Sequence, residues 1–144
     1  MTPSNFQPKG QDVTNSRIRI LIAEDHRAYA STLSKLIRQK LSPLLDLVEI
    51  EHTDSLKEAL RMSQTCDVSI VDAQLTDCTP EEMEAALPDF RKPVIVLTAH
   101  YTPQLEDRCL MGGAHAVFSK EKFDKVIEAL LTASIHGLAR EMAA

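Results

Sequence analysis

Two adjacent carboxylates, Glu24 and Asp25, follow the apolar run ILIA in the stretch ILIAEDH at residues 20–26. A third carboxylate, Asp72, follows a second apolar run, VSIV. Carboxylates that converge on one point repel one another, and each raises the pKa of its neighbours. A divalent cation removes that conflict, and Mg²⁺ prefers such hard oxygen ligands. If the two runs end side by side, these residues predict a magnesium site.

A hydroxyl and an ammonium group follow two later apolar runs. Thr98 ends the run PVIVLT, and Lys120 comes directly after HAVFS. Lysine places a positive charge opposite the carboxylates, and threonine adds a hydrogen-bond donor. Together they could hold a phosphoryl group while the carboxylate of Asp72 attacks phosphorus and forms an aspartyl-phosphate. Such a transfer depends on in-line positioning and on neutralisation of charge.

The elements that must position these residues are strands that alternate with helices. Each apolar run is followed by apolar residues at helical spacing, and this alternation predicts an α/β fold, a parallel sheet with helices on both faces. In such folds ligands bind beyond the carboxyl ends of the strands. The last helix is predicted to end near Gly137. The predicted strands are residues 18–23, 47–52, 68–72, 93–99 and 115–119.

The amino-acid composition limits the classes of protein to which this chain can belong. The chain has 144 residues and a net charge of -5, which favours one domain and disfavours direct binding of nucleic acid. No apolar run approaches the roughly 18 residues of a membrane span. The 3 cysteines match no metal or redox spacing, which favours reduced thiols in a cytoplasmic protein.

We expect a flexible tail at residues 1–16, a domain at 17–140 and a short tail at 141–144.

Four stretches, ILIAEDH, DVSIVDAQLTD, VIVLTAH and GAHAVFSK, resemble the receiver domain of two-component response regulators. The resemblance covers about residues 17–140. It implies a doubly wound flavodoxin-like sheet with the strand order 2-1-3-4-5 and five helices. It also implies a set of roles: Asp72 as the phosphoacceptor, Mg²⁺ held by Asp25, Asp72, the backbone carbonyl of Gln74 and, through water, Glu24, and the phosphoryl group bound by Thr98 and Lys120.

Two positions depart from the pattern of that family. Thr76 stands where receivers often have proline, and this predicts a looser loop after Asp72. Val117 stands where most relatives have an aromatic ring that moves together with the threonine. We therefore treat Thr98, Tyr101 and Val117 as the switch candidates, and we expect Tyr101 to carry the two-state change instead of a ring at 117.

The predicted function is that of a stand-alone receiver. It would accept phosphate from a histidine kinase or a histidine phosphotransfer protein and then bind a downstream protein or form a homodimer. It would catalyse only its own phosphorylation and dephosphorylation. The alternative is the receiver portion of a longer regulator or hybrid kinase.

Two other classes are disfavoured. A phosphohydrolase with an aspartyl nucleophile commonly has a second acid two residues further on, where this chain has Gln74. A flavin or nucleotide carrier needs a phosphate-binding loop after the first strand, but the loop AEDHR is acidic.

Overall fold

Strands and helices alternate along residues 16–143, the part of the chain that the computed structural model describes, with side chains described for residues 16–133. Except for Ser16, the predicted N-terminal tail lies outside the described residues, as does Ala144. The strands are β1 Arg17–Ala23, β2 Leu47–Thr53, β3 Val68–Asp72, β4 Val94–Thr98 and β5 Ala116–Ser119. The helices are α1 Arg27–Leu41, α2 Leu56–Ser63, α3 Pro80–Ala86, α4 Pro103–Met111 and α5 Phe123–Ala143, with a short 3₁₀ helix at Leu87–Asp89.

The five strands form one parallel sheet with the order β2-β1-β3-β4-β5. Strands β3 and β4 are buried along their whole length, as expected for central strands covered on both faces. Strand β2 lies at an edge of the sheet, and apart from the buried Val48 its residues are partly or fully exposed. The predicted fold class and strand order are therefore confirmed.

Two apolar cores lie on opposite faces of the sheet because successive side chains of a strand point to opposite sides. One core joins the sheet to α1 and α5, with Leu33 and Val126 among its fully buried members. The other joins it to α2, α3 and α4, through residues such as Met83 and Cys109. The sheet is thereby fixed between two helical layers, and its upper edge, where the strands end, is left for polar residues.

The helices begin at residues that cap them. Thr79 and Glu82 form the predicted capping box at the start of α3, with the Thr79 hydroxyl accepting from the Glu82 amide at 3.1 Å. Ser55 is the residue that caps α2, and Thr102 caps α4 before Pro103. Each cap satisfies an amide that has no partner within its helix and so helps to define where that helix begins.

Helix α5 continues to Ala143, so the prediction that it ends near Gly137 is wrong. A glycine inside a helix costs only about 1 kcal/mol relative to alanine. The residues after it, LAREMA, are mostly good helix formers and offset that cost. No helix within the described residues has the length and apolarity that crossing a membrane requires.

Candidate functional site

The three carboxylates predicted to converge do lie together. Glu24, Asp25 and Asp72 each place one carboxylate oxygen within 4.8 Å of the others. The strand register explains this, because Ala23 of β1 pairs with Val71 of β3. The next residue on each strand is an acid, so Glu24 and Asp72 are neighbours at the upper edge of the sheet.

The ammonium group of Lys120 lies against two of these carboxylates. Its Nζ is 2.6 Å from Oε1 of Glu24 and 3.3 Å from Oδ2 of Asp72. The backbone of β5 positions the lysine, since the Lys120 amide donates to the Thr98 carbonyl at 2.9 Å. Burial alone would lower the pKa of Lys120, but the hydrogen bond to Glu24 and the charges of Asp72 and Glu24 outweigh it and raise that pKa.

Glu24 is a buried carboxylate, with only 2% of its side chain exposed. Burial raises the pKa of Glu24, and the hydrogen bonds from Lys120 and from the His26 amide oppose this rise. Its backbone is also fixed, because the Glu24 carbonyl lies 2.7 Å from Nε2 of His52. The backbone and the side chain of Glu24 are thus both held in place, and its carboxylate depends on Lys120 for a neutralising charge.

Asp25 is the more exposed acid, and its Oδ2 accepts a hydrogen bond of 3.0 Å from the Thr76 amide. This contact ties the loop between β3 and α3 to the end of β1. Proline has no amide hydrogen, so it could not make this bond. The expectation of a looser loop at Thr76 does not match this geometry.

The two oxygens of Asp72 face different partners. Its Oδ1 accepts from the Gln74 amide at 2.9 Å, while its Oδ2 faces Lys120. The side-chain amide of Gln74 lies against the hydroxyl of Thr98, with its nitrogen at 3.1 Å and its oxygen at 3.2 Å. The His100 amide donates to the same hydroxyl at 3.0 Å. Thr98 is fully buried and is therefore closely held.

The comparisons with known proteins agree with this geometry. A sequence model described as the response regulator receiver domain matches residues 20–131, most of the chain. The chain belongs to that family. It is thus identified as a receiver domain of two-component signalling systems. No curated protein sequence matches this chain.

Solved receiver structures share the fold. The Francisella response regulator 1452 receiver domain is 18% identical and superposes with a TM-score of 0.69, covering 83% of this chain and 98% of that one. A signal receiver domain of a LuxO repressor protein from Vibrio parahaemolyticus is 20% identical, with a TM-score of 0.67 and coverages of 88% and 97%.

A response regulator protein from Burkholderia pseudomallei, with a phosphorylated aspartic acid, a calcium ion and citrate, is also similar to this chain. It is 21% identical and superposes with a TM-score of 0.64, covering 86% of this chain and 72% of that chain.

The predicted switch residues are not gathered at the cluster. Tyr101 is 42% exposed, and its hydroxyl donates to Glu106 at 2.6 Å, which fastens it to the first turn of α4. Val117 is buried in the core beneath α4, on the face of the sheet opposite to Phe118. Both therefore adjoin α4, while Thr98 is the switch candidate in contact with a site residue, Gln74.

One neighbour of the site was missed by the sequence analysis. Tyr29, in the first turn of α1, places its ring 4.5 Å from Nζ of Lys120. In the sequence, Tyr29 recurs with Leu33 and Leu36 at helical spacing, a pattern that predicts the apolar face of a helix and no role at the site. The available signal was its place one turn after the acid pair, at the carboxyl end of β1.

The donor set fits Mg²⁺. All three clustered side chains offer carboxylate oxygens, the ligands this ion prefers. In octahedral coordination, oxygens about 2.1 Å from the ion lie about 3 to 4 Å from one another. The carboxylate oxygens of the cluster lie within 4.8 Å of one another, which is close to these separations. Small side-chain rotations would therefore bring them to the distances that a bound ion requires. Lys120 offsets only part of the negative charge, which leaves the site attractive to a cation.

Proposed function

We propose that this receiver domain accepts a phosphoryl group on Asp72 in a Mg²⁺-dependent reaction. A phosphohistidine of a histidine kinase or a histidine phosphotransfer protein would be the donor. The Asp72 carboxylate attacks phosphorus and the bond from phosphorus to imidazole nitrogen breaks. The electron pair of that bond stays on the imidazole, which leaves as a neutral ring because its other nitrogen already carries a proton. The product is an aspartyl-phosphate, whose formation would change how the domain binds a downstream protein.

The observation that carries this proposal is the pair of contacts to Asp72. One carboxylate oxygen is oriented by the Gln74 amide, and the other faces the Lys120 ammonium. An oriented carboxylate beside a fixed positive charge suits transfer of a phosphoryl group, which needs positioning and neutralisation more than a base. Both carboxylates are buried, but Glu24 is less suited because it is paired more closely with the lysine, at 2.6 Å against 3.3 Å for Asp72.

The other residues would have distinct roles. Asp25, Asp72 and the Gln74 carbonyl would hold Mg²⁺, with Glu24 acting through water. When bound, the ion supplies positive charge to the carboxylates and to the phosphoryl oxygens. Lys120 would neutralise a phosphoryl oxygen, and the Thr98 hydroxyl would donate to another. The phosphorylated aspartic acid and calcium ion in the Burkholderia relative support this assignment.

Intact-mass measurement tests the proposal. With Mg²⁺ and acetyl phosphate, the wild-type chain is expected to gain one phosphoryl group that is stable in acid and labile in base. Asp72→Asn should gain none, because a carboxamide is not the required nucleophile. Asp107→Asn, which makes the same chemical change at an exposed position of α4, is the matched control and should label normally. Equal labelling of wild type and Asp72→Asn would contradict the assignment.

Signalling to the downstream protein is proposed to pass through Tyr101. A phosphoryl group that draws Thr98 toward it would move the following residues, AHYTP, and with them the start of α4. A switch of this kind requires that phosphate bind one conformation better than the other. The proposed output is a changed affinity for a protein partner or the formation of a homodimer.

Tyr101→Ala is therefore expected to leave the phosphorylation yield unchanged and to remove the response to phosphorylation. The reason is that truncation breaks the bond to Glu106 that links the moving residues to α4. Light scattering or titration with a partner, with and without labelling, measures the response. Val117→Ala serves as the comparison and should keep the response despite a loss of core stability. A full response in Tyr101→Ala would mean that the signal takes another route.

A further inference from the structure

Tyr29 contacts Lys120 at two separate points. Its ring centroid lies 4.5 Å from the ammonium nitrogen, and its hydroxyl donates to the Lys120 backbone carbonyl at 2.8 Å. We infer that Tyr29 is a positioning residue for phosphorylation, which holds the lysine where the phosphoryl group is transferred. This inference rests on the proposed function of Asp72.

The ring restrains the mobile end of the lysine. Lysine ends in a point charge on a flexible stem, so its ammonium can reach many positions. Here it has Glu24 and Asp72 as anionic partners and the Tyr29 ring as its third neighbour. The electron-rich face of an aromatic ring attracts such a cation. Only 17% of the lysine side chain is exposed, so water weakens this attraction little.

The hydroxyl restrains the base of the same residue. Lys120 leaves β5 at a turn before α5, and its carbonyl accepts the Tyr29 bond there. Burial, followed by the charges of Glu24 and Asp72, raises the pKa of Tyr29, so the hydroxyl keeps its proton and remains a donor at neutral pH. The bond joins the first turn of α1 to the turn after β5.

A stacked neighbour fixes the ring itself. Tyr29 lies 5.1 Å from Phe123, the first residue of α5, with an angle of 26° between the ring planes. The backbone of Tyr29 is fixed as well, because its amide donates to Nδ1 of His26, the residue that caps α1. The ring is therefore held by two helices, and a fixed ring can orient a flexible lysine.

The consequence for the reaction concerns charge. As phosphorus is transferred to Asp72, negative charge on the phosphoryl oxygens must be met by a cation that is already in place. If Lys120 is free to turn toward solvent, part of its contribution is lost to reorganisation. Removal of the ring should therefore slow phosphorylation without removing the nucleophile or any metal ligand.

Three variants test this inference with acetyl phosphate and Mg²⁺. Tyr29→Leu keeps an apolar side chain but removes the ring and hydroxyl, and it should label about tenfold more slowly than wild type. Tyr29→Phe keeps the ring and should restore the rate to within about threefold of wild type. Leu36→Ala, which removes an apolar side chain two turns further along α1, controls for loss of packing and should label normally.

A nuclear magnetic resonance measurement reports on the contact without any phosphorylation. The ε-CH₂ protons of Lys120 should be shifted upfield by the ring in wild type and Tyr29→Phe, and should return to ordinary values in Tyr29→Leu. The inference is overturned if the wild-type protons are unshifted, or if Tyr29→Leu labels as fast as wild type or no slower than Leu36→Ala. Failure of the wild type itself to label would instead contradict the proposed role of Asp72.

Discussion

In metal-free buffer at pH 7, Lys120→Met is expected to lower the free energy of unfolding by about 2 to 3 kcal/mol. The substitution leaves the buried Glu24 carboxylate without its cation, beside the like charge of Asp72. Breaking a fully buried ion pair in this way costs about 3 to 5 kcal/mol. The smaller value follows because Lys120 retains 17% exposure and its site is partly solvated.

The free energy of unfolding that Lys120→Met loses should depend on pH in a defined direction. Burial already raises the pKa of Glu24 above 4.5, and removal of Lys120 should raise it further. A carboxyl with a raised pKa binds a proton more tightly in the folded protein than in the unfolded chain. Stability is therefore greater at low pH and declines as pH rises from 4.5 through the raised value. The gap between Lys120→Met and wild type should narrow on acidification from pH 7 to pH 5.

Urea denaturation at the two pH values measures this effect. Adding Glu24→Gln to Lys120→Met should recover much of the lost stability, because the amide carries no charge. Lys35→Met, at an exposed position of α1, is the matched control and should change stability by no more than about 0.5 kcal/mol. An equal loss in both lysine variants, or no effect of pH, would contradict the importance of the Glu24 pair.

Asp25→Asn is expected to abolish most of the stabilisation that Mg²⁺ confers. A ligand at 100 times its dissociation constant adds about 2.7 kcal/mol to the stability of the folded state, or about 10 °C in melting temperature for a domain of this size. The asparagine variant loses a charged ligand and should gain little. Without the metal it should be the more stable protein, because one of three converging negative charges is gone.

Thermal melts with and without MgCl₂ provide the measurement. A third series, with NaCl at matched ionic strength, separates metal binding from screening of charge. Asp107→Asn, exposed on α4, should respond to Mg²⁺ as wild type does. Equal Mg²⁺ shifts in wild type and Asp25→Asn would show that the ion binds elsewhere.

The acidic cluster could be predicted from the sequence because strand ends follow from the hydrophobic pattern. Once Ala23 and Val71 are recognised as the last apolar residues of neighbouring parallel strands, the acids after them must meet. The same reasoning brings Thr98 and Lys120 to that edge of the sheet. These inferences require the alternation of strands and helices, together with the strand order that the resemblance to receiver domains implies.

The contacts of individual side chains could not be predicted in this way. The ring of Tyr29 reaches Lys120 because α1 begins beside the turn after β5, and the two residues are 91 positions apart in the chain. The end of α5 was also missed, since one glycine is a weak signal against several good helix formers. Side-chain rotamers and small differences in helix propensity decide such features, and neither produces a pattern along the sequence.

The bond from the Thr76 amide to Asp25 has a consequence for sequence drift. Because the donor belongs to the backbone, any residue except proline at position 76 retains it. The side chain at position 76 can therefore be substituted while the hydrogen bond from the loop to the end of β1 is kept. The only requirement at position 76 is that the residue is not proline. A comparison that looks for conserved side chains would therefore not detect this anchor.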